Sequence, residues 1–194
     1  MRTLGKWLGR LLFVVAVAVA AFLIVAPGHV EKSRNTVKDH EPYAVSDAAK
    51  NLHASLTVGD WHADTLLWKR DPLELANPGH VDLPRLIEGN VAVQVFTAVT
   101  KSPAGQNYDS NSADARDNIT LLAVGQMWPP RTWDSIFERA VYQAERLHDA
   151  EERSDGELSL VRTKAELDAV LAAPAAGTNV SAGPEGLDGP APPE

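Results

Sequence analysis

The sequence is organised around residues 58–68, which are Val58-Gly59-Asp60-Trp61-His62-Ala63-Asp64-Thr65-Leu66-Leu67-Trp68. The apolar run that begins at Leu56 predicts a buried strand ending near Trp61. Side chains at positions i and i+2 of a strand point to the same face, so His62 and Asp64 are expected to lie side by side at the strand end. An imidazole and a carboxylate directed at one point can hold a divalent metal ion.

The same His-x-Asp triplet also has a plain structural interpretation. A second copy, beginning at His80, follows Pro78-Gly79 and predicts a turn entering a helix that is capped by Asp82. For His62 and Asp64 the corresponding alternative is a structural histidine followed by a capping aspartate. The triplet alone therefore leaves both interpretations open.

The amino terminus carries an apolar run from Leu11 to Ala26 without a charged residue, preceded by Arg2, Lys6 and Arg10. Residues 1–28 are predicted to be a signal anchor or an uncleaved signal peptide, with membrane contact through residues 4–26. The positive flank is expected to stay cytoplasmic. The localisation expected for the body is therefore membrane-anchored, on the periplasmic or extracellular side.

Charge and cysteine content narrow the possible functions. Three of the 18 basic residues precede Glu31 and none of the 26 acidic residues does, which leaves 15 basic residues against 26 acidic ones. A body this acidic is a poor candidate for nucleic-acid binding. The chain has no cysteine, so any metal ion must be held by His, Asp or Glu.

Beyond the apolar run, residues 29–52 are polar without sustained periodicity, and we predict a stalk. Later strands are predicted over 91–99, a near-continuous apolar run rich in β-branched residues that suggests a parallel strand, and over 158–161. Helices are predicted from Leu83, from about Ala113, from about Asp134 with Ser135 as cap, and from Thr163. Strands separated by helices predict the α/β class with a parallel sheet, in which sites lie at the carboxyl ends of strands.

The carboxyl-terminal residues have a different composition. Residues 177–194 contain four Gly and four Pro without strand or helix periodicity, which predicts a disordered tail. The alternative is that the chain is truncated, or that its reading frame changes near Gly183.

Three segments, in order, resemble the membrane dipeptidase (renal dipeptidase, peptidase M19) family. They are 60–64 (DWHAD), 79–86 (GHVDLPRL) and 88–96 (EGNVAVQVF). The resemblance spans about residues 56–172, the first part of the family domain. It implies that residues 53–176 are the amino-terminal portion of a TIM-like (β/α)8 metallo-hydrolase barrel, and that the family activity is zinc-dependent hydrolysis of dipeptides at a centre of two Zn²⁺ ions.

By this likeness His62 and Asp64 are ligands of the first zinc. The family's next ligand is a bridging Glu in a Gly-hydrophobic-Glu-Gly motif, for which the candidate here is Glu185, although Pro184 precedes it where a strand residue is needed. His80 and His148 do not replace the two later histidine ligands. We therefore expect this chain to be an inactive, truncated or frame-shifted piece of a membrane-anchored zinc dipeptidase.

Two other functional classes are compatible with the sequence. One is a non-catalytic, membrane-tethered binding module that uses the acidic surface and the polar loop 102–111. The other is a different metal-dependent barrel hydrolase, because a His-x-Asp on a first strand occurs with more than one chemistry.

Overall fold

The computed structural model describes residues 2–172. The chain divides into two compact units, Met1–Leu158 and Ser159–Glu194. The regular elements are α1 (Arg2–Arg34), α2 (Asp47–Ala54), β1 (Val58–Ala63), α3 (Leu83–Glu88), β2 (Val91–Phe96), α4 (Asn118–Gly125), α5 (Ile136–Arg153) and α6 (Lys164–Ala172), with short 3₁₀ turns at Thr65–Leu67 and Pro130–Thr132.

The first unit contains a parallel β-α-β arrangement. β1 and β2 pair in parallel, with Asp60 opposite Gln94 and Ala63 opposite Phe96. α3 connects the two strands, and its first turn is capped by Asp82, whose carboxylate accepts the Arg85 backbone N–H at 3.1 Å. The α/β class and the predicted cap are confirmed. The sheet formed by residues 2–172 has two strands, so the TIM-like barrel stays a prediction.

The strand predicted at Leu158–Val161 is wrong. α5 ends at Arg153, a turn with positive φ at Asp155 and Gly156 follows, and 158–161 belong to neither helix nor strand. The alternation of Leu158 and Leu160 indicates only which side chains could share a face. A strand also needs a neighbouring ladder, and the sheet of the described residues consists of β1 and β2.

The second unit contains α6 within its described residues. Thr163 precedes the helix and accepts the Glu166 backbone N–H through its hydroxyl at 3.2 Å. In return a Glu166 carboxylate oxygen accepts the Thr163 backbone N–H at 3.1 Å. This reciprocal arrangement is the predicted capping box. The tail predicted for 177–194 lies outside the described residues.

The apolar amino-terminal segment is helical, as predicted. Gly5–Arg34 of α1 is long and apolar enough to cross a membrane, and a signal sequence has the same length and composition. The helix runs through Pro27 into the segment predicted as a stalk. In its last turns Glu31 is 6% exposed, and its carboxylate lies 2.9 Å from the Arg70 guanidinium. The end of α1 is therefore bound to the body.

A buried arginine connects α5 to α4, to the turn before α5 and to the chain that follows β2. Arg139, near the start of α5, is 2% exposed. An arginine has five N–H donors, and each of them has an acceptor here. The acceptors are the carbonyl oxygens of Thr100, Thr132 and Trp133, the hydroxyl of Thr120 and a carboxylate oxygen of Asp117.

One turn further along α5, Gln143 binds the chain that follows β2. Its side-chain oxygen accepts the Val99 N–H at 3.2 Å, and its amide nitrogen donates to the Val99 carbonyl at 3.1 Å. A strand neighbour would satisfy the same two backbone groups. The fully buried Gln143 amide takes that place, so α5 fixes the end of β2.

We expect replacement of Arg139 to be severely destabilising. Arg139→Leu removes the positive charge that pairs with Asp117 and the donor to three carbonyl groups, and breaking a buried pair in this way costs about 3–5 kcal/mol of unfolding free energy. Urea unfolding in detergent, followed by tryptophan fluorescence, measures the loss. The matched control is Arg131→Leu, because Arg131 is 44% exposed and pairs with Glu138 at the surface, where such pairs contribute at most about 1 kcal/mol. Equal losses in the two variants would contradict the prediction.

The pairing of Asp117 makes a second prediction, on pH dependence. Desolvation raises the pKa of Asp117, but hydrogen bonds from the Ser102 backbone N–H and from Arg139 outweigh it, so the pKa falls to about 2. The unfolded value is about 3.9. The stabilisation is therefore complete above about pH 4 and is lost as the pH falls towards about 2.

Asp117→Asn should accordingly destabilise the protein at pH 7 by about 1.5–3 kcal/mol, the range for hydrogen bonds to a charged group. The difference from the unsubstituted protein should shrink as the pH is lowered from about 4 to about 2. Urea unfolding at a series of pH values measures this difference. A difference that is independent of pH would exclude the proposed charge contribution.

Candidate metal centre

The carboxyl end of β1 places His62 and Asp64 together. His62 is the penultimate residue of β1 and Asp64 follows the strand directly. The His62 Nε2 atom lies 3.4 Å from the Asp64 Oδ1 atom. The two side chains therefore face the same point, as alternation along the strand predicts.

The separation itself is informative. At 3.4 Å it is longer than an ordinary N–H···O hydrogen bond of about 2.7–3.2 Å. Two ligand atoms about 2.1 Å from one zinc ion at the tetrahedral angle are about 3.4 Å apart. This spacing is that of an ordinary His–Asp ion pair, and it also suits two neighbouring ligands of a tetrahedral zinc ion.

The His62 and Asp64 side chains are accessible to solvent, whereas the residues next to them in the chain are buried. The His62 side chain is 70% exposed and that of Asp64 is 42% exposed. Ala63, Thr65 and Leu66 are buried. A metal ion and a small substrate could therefore reach the two side chains, while the backbone that carries them is held in the core.

Asp60 supports His62 from two residues upstream. One Asp60 carboxylate oxygen accepts the His62 backbone N–H at 3.2 Å. Hydrogen bonding from the Gln94 side chain, and next from this N–H, lowers the pKa of Asp60. Sequence reasoning gave Asp60 no role, although it continues the alternation of His62 and Asp64. Its carboxylate fixes the backbone at the start of the site.

Thr97 supports Asp64 from the neighbouring strand. It follows β2, and its hydroxyl donates to Asp64 Oδ1 while its backbone N–H donates to the Ala63 carbonyl at 3.0 Å. Sequence reasoning also gave Thr97 no role. The available signal is its position, because parallel strands end at the same edge of the sheet.

The segment after the site is held through its carbonyl groups. Arg146 of α5 donates to the carbonyl oxygens of Leu66, Trp68 and Arg70. The buried Gln126 side chain donates to the Leu67 carbonyl at 2.9 Å. Four carbonyl groups within 66–70 thus have side-chain donors from elsewhere in the chain, which fixes the path of the backbone beyond Asp64.

The other candidate residues do not join this pair. His80 lies in the turn before α3, and His148 lies on α5 with its Nδ1 atom 3.7 Å from a Glu151 carboxylate oxygen. Glu185 lies outside the described residues. Within 2–172, no group of three or more His, Asp or Glu side chains is arranged to hold a metal ion. Among the described residues, His62 and Asp64 therefore stand as a pair without a third such side chain beside them.

Comparisons with known proteins found no match: no family model, no curated protein and no solved structure matches the chain. The likeness to membrane dipeptidases thus depends on the three segments quoted above.

We predict that Arg146 determines the rigidity of the segment next to the site. Arg146→Met removes the donors to three carbonyl groups, so amide hydrogen exchange within 65–71 should become about tenfold faster or more, which corresponds to about 1.4 kcal/mol. Hydrogen-exchange mass spectrometry measures the rate. Arg131→Met is the control, because Arg131 is 44% exposed and pairs with Glu138 and Glu145 of α5, which lie outside 65–71. Unchanged exchange in Arg146→Met would contradict the prediction.

Proposed function

We propose that His62 and Asp64 are the first-strand ligands of a zinc-dependent dipeptidase that resembles the membrane dipeptidase family. The observation that carries the proposal is the 3.4 Å separation between His62 Nε2 and Asp64 Oδ1 at the carboxyl end of a parallel strand. The imidazole and the carboxylate are ligand types that zinc prefers. Their exposure leaves the remaining coordination positions open.

The reaction needs a polarised peptide carbonyl and a nucleophilic water near neutral pH. Zinc supplies both, as a Lewis acid and by lowering the pKa of water. The residues of this chain would hold the ion: His62 through Nε2 and Asp64 through its carboxylate. Asp60 fixes the His62 backbone through its N–H, and the Thr97 hydroxyl orients the Asp64 carboxylate. Dipeptides are the proposed substrate class because the three quoted segments resemble that family.

The proposed location follows from α1. Its apolar length supports a membrane anchor or a signal sequence. Arg2, Lys6 and Arg10 flank the run on its amino-terminal side, which favours a cytoplasmic amino terminus and a body on the periplasmic or extracellular side. A dipeptidase so placed would act on peptides outside the cytoplasm.

The 194-residue chain is proposed to bind zinc through His62 and Asp64, the metal arm, but not to turn dipeptides over. Two protein ligands bind an ion weakly and leave its position undetermined, whereas structural and catalytic zinc sites use three or four. Within 2–172 no third His, Asp or Glu completes a group with this pair. A third ligand from outside residues 2–172 would be needed for catalysis.

Zinc titration of the full chain in detergent tests this function. We expect competition with a chromogenic chelator to detect zinc binding that His62→Ala weakens by at least tenfold. His80→Ala is the matched control, since His80 is also exposed but lies in the turn before α3; it should bind zinc as the unsubstituted chain does.

Release of amino acids from a dipeptide is measured in parallel, and none is expected. Absence of zinc binding, or equal binding by both histidine variants, would refute the proposed metal arm. Turnover that disappears in His62→Ala would instead refute the expected inactivity.

A further inference from the structure

Thr97 joins the ends of the two strands at the candidate metal centre. Thr97 lies one residue beyond the end of β2. Its backbone N–H donates to the Ala63 carbonyl at 3.0 Å. Its hydroxyl donates to Asp64 Oδ1. Thr97 thus binds Ala63 through its backbone and Asp64 through its side chain.

This double attachment constrains a carboxylate that would otherwise rotate. The Asp64 side chain is 42% exposed, and the terminal torsion of an aspartate is broad. A threonine is branched at Cβ, so few rotamers are open to its side chain. Because the Thr97 backbone is held by Ala63, its hydroxyl reaches Asp64 Oδ1 from a fixed position.

The same oxygen, Asp64 Oδ1, is the one that lies 3.4 Å from His62 Nε2. The hydroxyl that holds this oxygen therefore fixes one of the two proposed ligand atoms, the one on Asp64. A hydrogen-bond donor behind a metal-binding group orients it before the ion arrives, which raises affinity without a contact to the ion.

We propose that Thr97 is a positioning residue that orients Asp64 for zinc. The inference rests on the proposed function of His62 and Asp64, and it adds a residue from the second strand to a site otherwise built on the first. Outer partners of metal ligands typically change metal affinity by about 10–100-fold. Loss of the Thr97 hydroxyl should have an effect of that size.

Zinc affinity of Thr97 variants, measured by chelator competition on the full chain, tests the inference. Thr97→Val keeps the shape and removes the hydroxyl, and should weaken zinc binding by about 10–100-fold. Thr97→Ser keeps the hydroxyl and should restore binding to within a few-fold of the unsubstituted chain. Restoration by Ser separates orientation of Asp64 from packing of the methyl group.

A neighbouring threonine supplies the matched control. Thr65 is buried, and its hydroxyl donates to the Val81 carbonyl at 3.3 Å and not to Asp64. Thr65→Val should lower the urea midpoint but leave zinc affinity unchanged. If Thr97→Val binds zinc as tightly as the unsubstituted chain, the positioning role is overturned while the metal arm stands. If the unsubstituted chain binds no zinc, both are overturned.

A readout without zinc checks the hydrogen bond itself. In metal-free protein, the urea-midpoint losses of Thr97→Val and Asp64→Ala should be less than additive in the double variant, because either substitution alone removes the same bond. Additive losses would show that the two side chains do not interact and would overturn the inference.

Discussion

Arg139 connects parts of the first unit that are distant in sequence. Its guanidinium N–H groups donate to oxygen atoms of the chain after β2, of the α4 cap and of the turn before α5. A buried cation is unfavourable unless its hydrogen-bonding groups are satisfied and its charge is paired, and here both conditions are met by Asp117 and four neutral oxygens. Because Gln143 on the same helix binds both backbone groups of Val99, α5 holds the chain that leaves β2. The position of Thr97, and through it that of Asp64, follows from this attachment.

Polar side chains of α5 and of the α4 carboxyl-terminal cap make the backbone hydrogen bonds that further strands make in a larger sheet. At the ends of the two strands and in the segments that follow, backbone groups have no further strand as a partner. Such groups are costly when they are buried without a hydrogen bond. Gln143 satisfies Val99, while Arg146 and Gln126 satisfy the carbonyl groups of residues 66–70. The arrangement keeps the β1 end in one conformation, so that His62 and Asp64 remain side by side although their side chains are exposed.

Features that depend on neighbours in sequence could be predicted. The caps of α3, α5 and α6, at Asp82, Ser135 and Thr163, are local hydrogen bonds with a known residue spacing. The proximity of His62 and Asp64 also follows from alternation alone. The Arg139 network could not be predicted, because its partners are up to 39 residues away. In the sequence, Arg139 does not differ from the other charged residues of the same predicted helix. Thr97 was missed for the same reason, since its partner Asp64 is 33 residues away. Leu158–Val161 was wrongly predicted as a strand because the pattern of four residues does not show whether a neighbouring strand is present.

The ion pair between Glu31 and Arg70 has a consequence for how the protein could be processed. Two triplets that end in alanine, Ala18-Val19-Ala20 and Ile24-Val25-Ala26, lie in the apolar segment and precede Glu31, and a signal peptidase would cut after Ala20 or after Ala26. Cleavage at either position would leave the last turn of α1 attached to the body, where the Asn35 carbonyl also accepts the Gly79 N–H at 2.9 Å. Removal of the segment before either position would therefore leave unchanged the contacts that Glu31 and Asn35 make with the body.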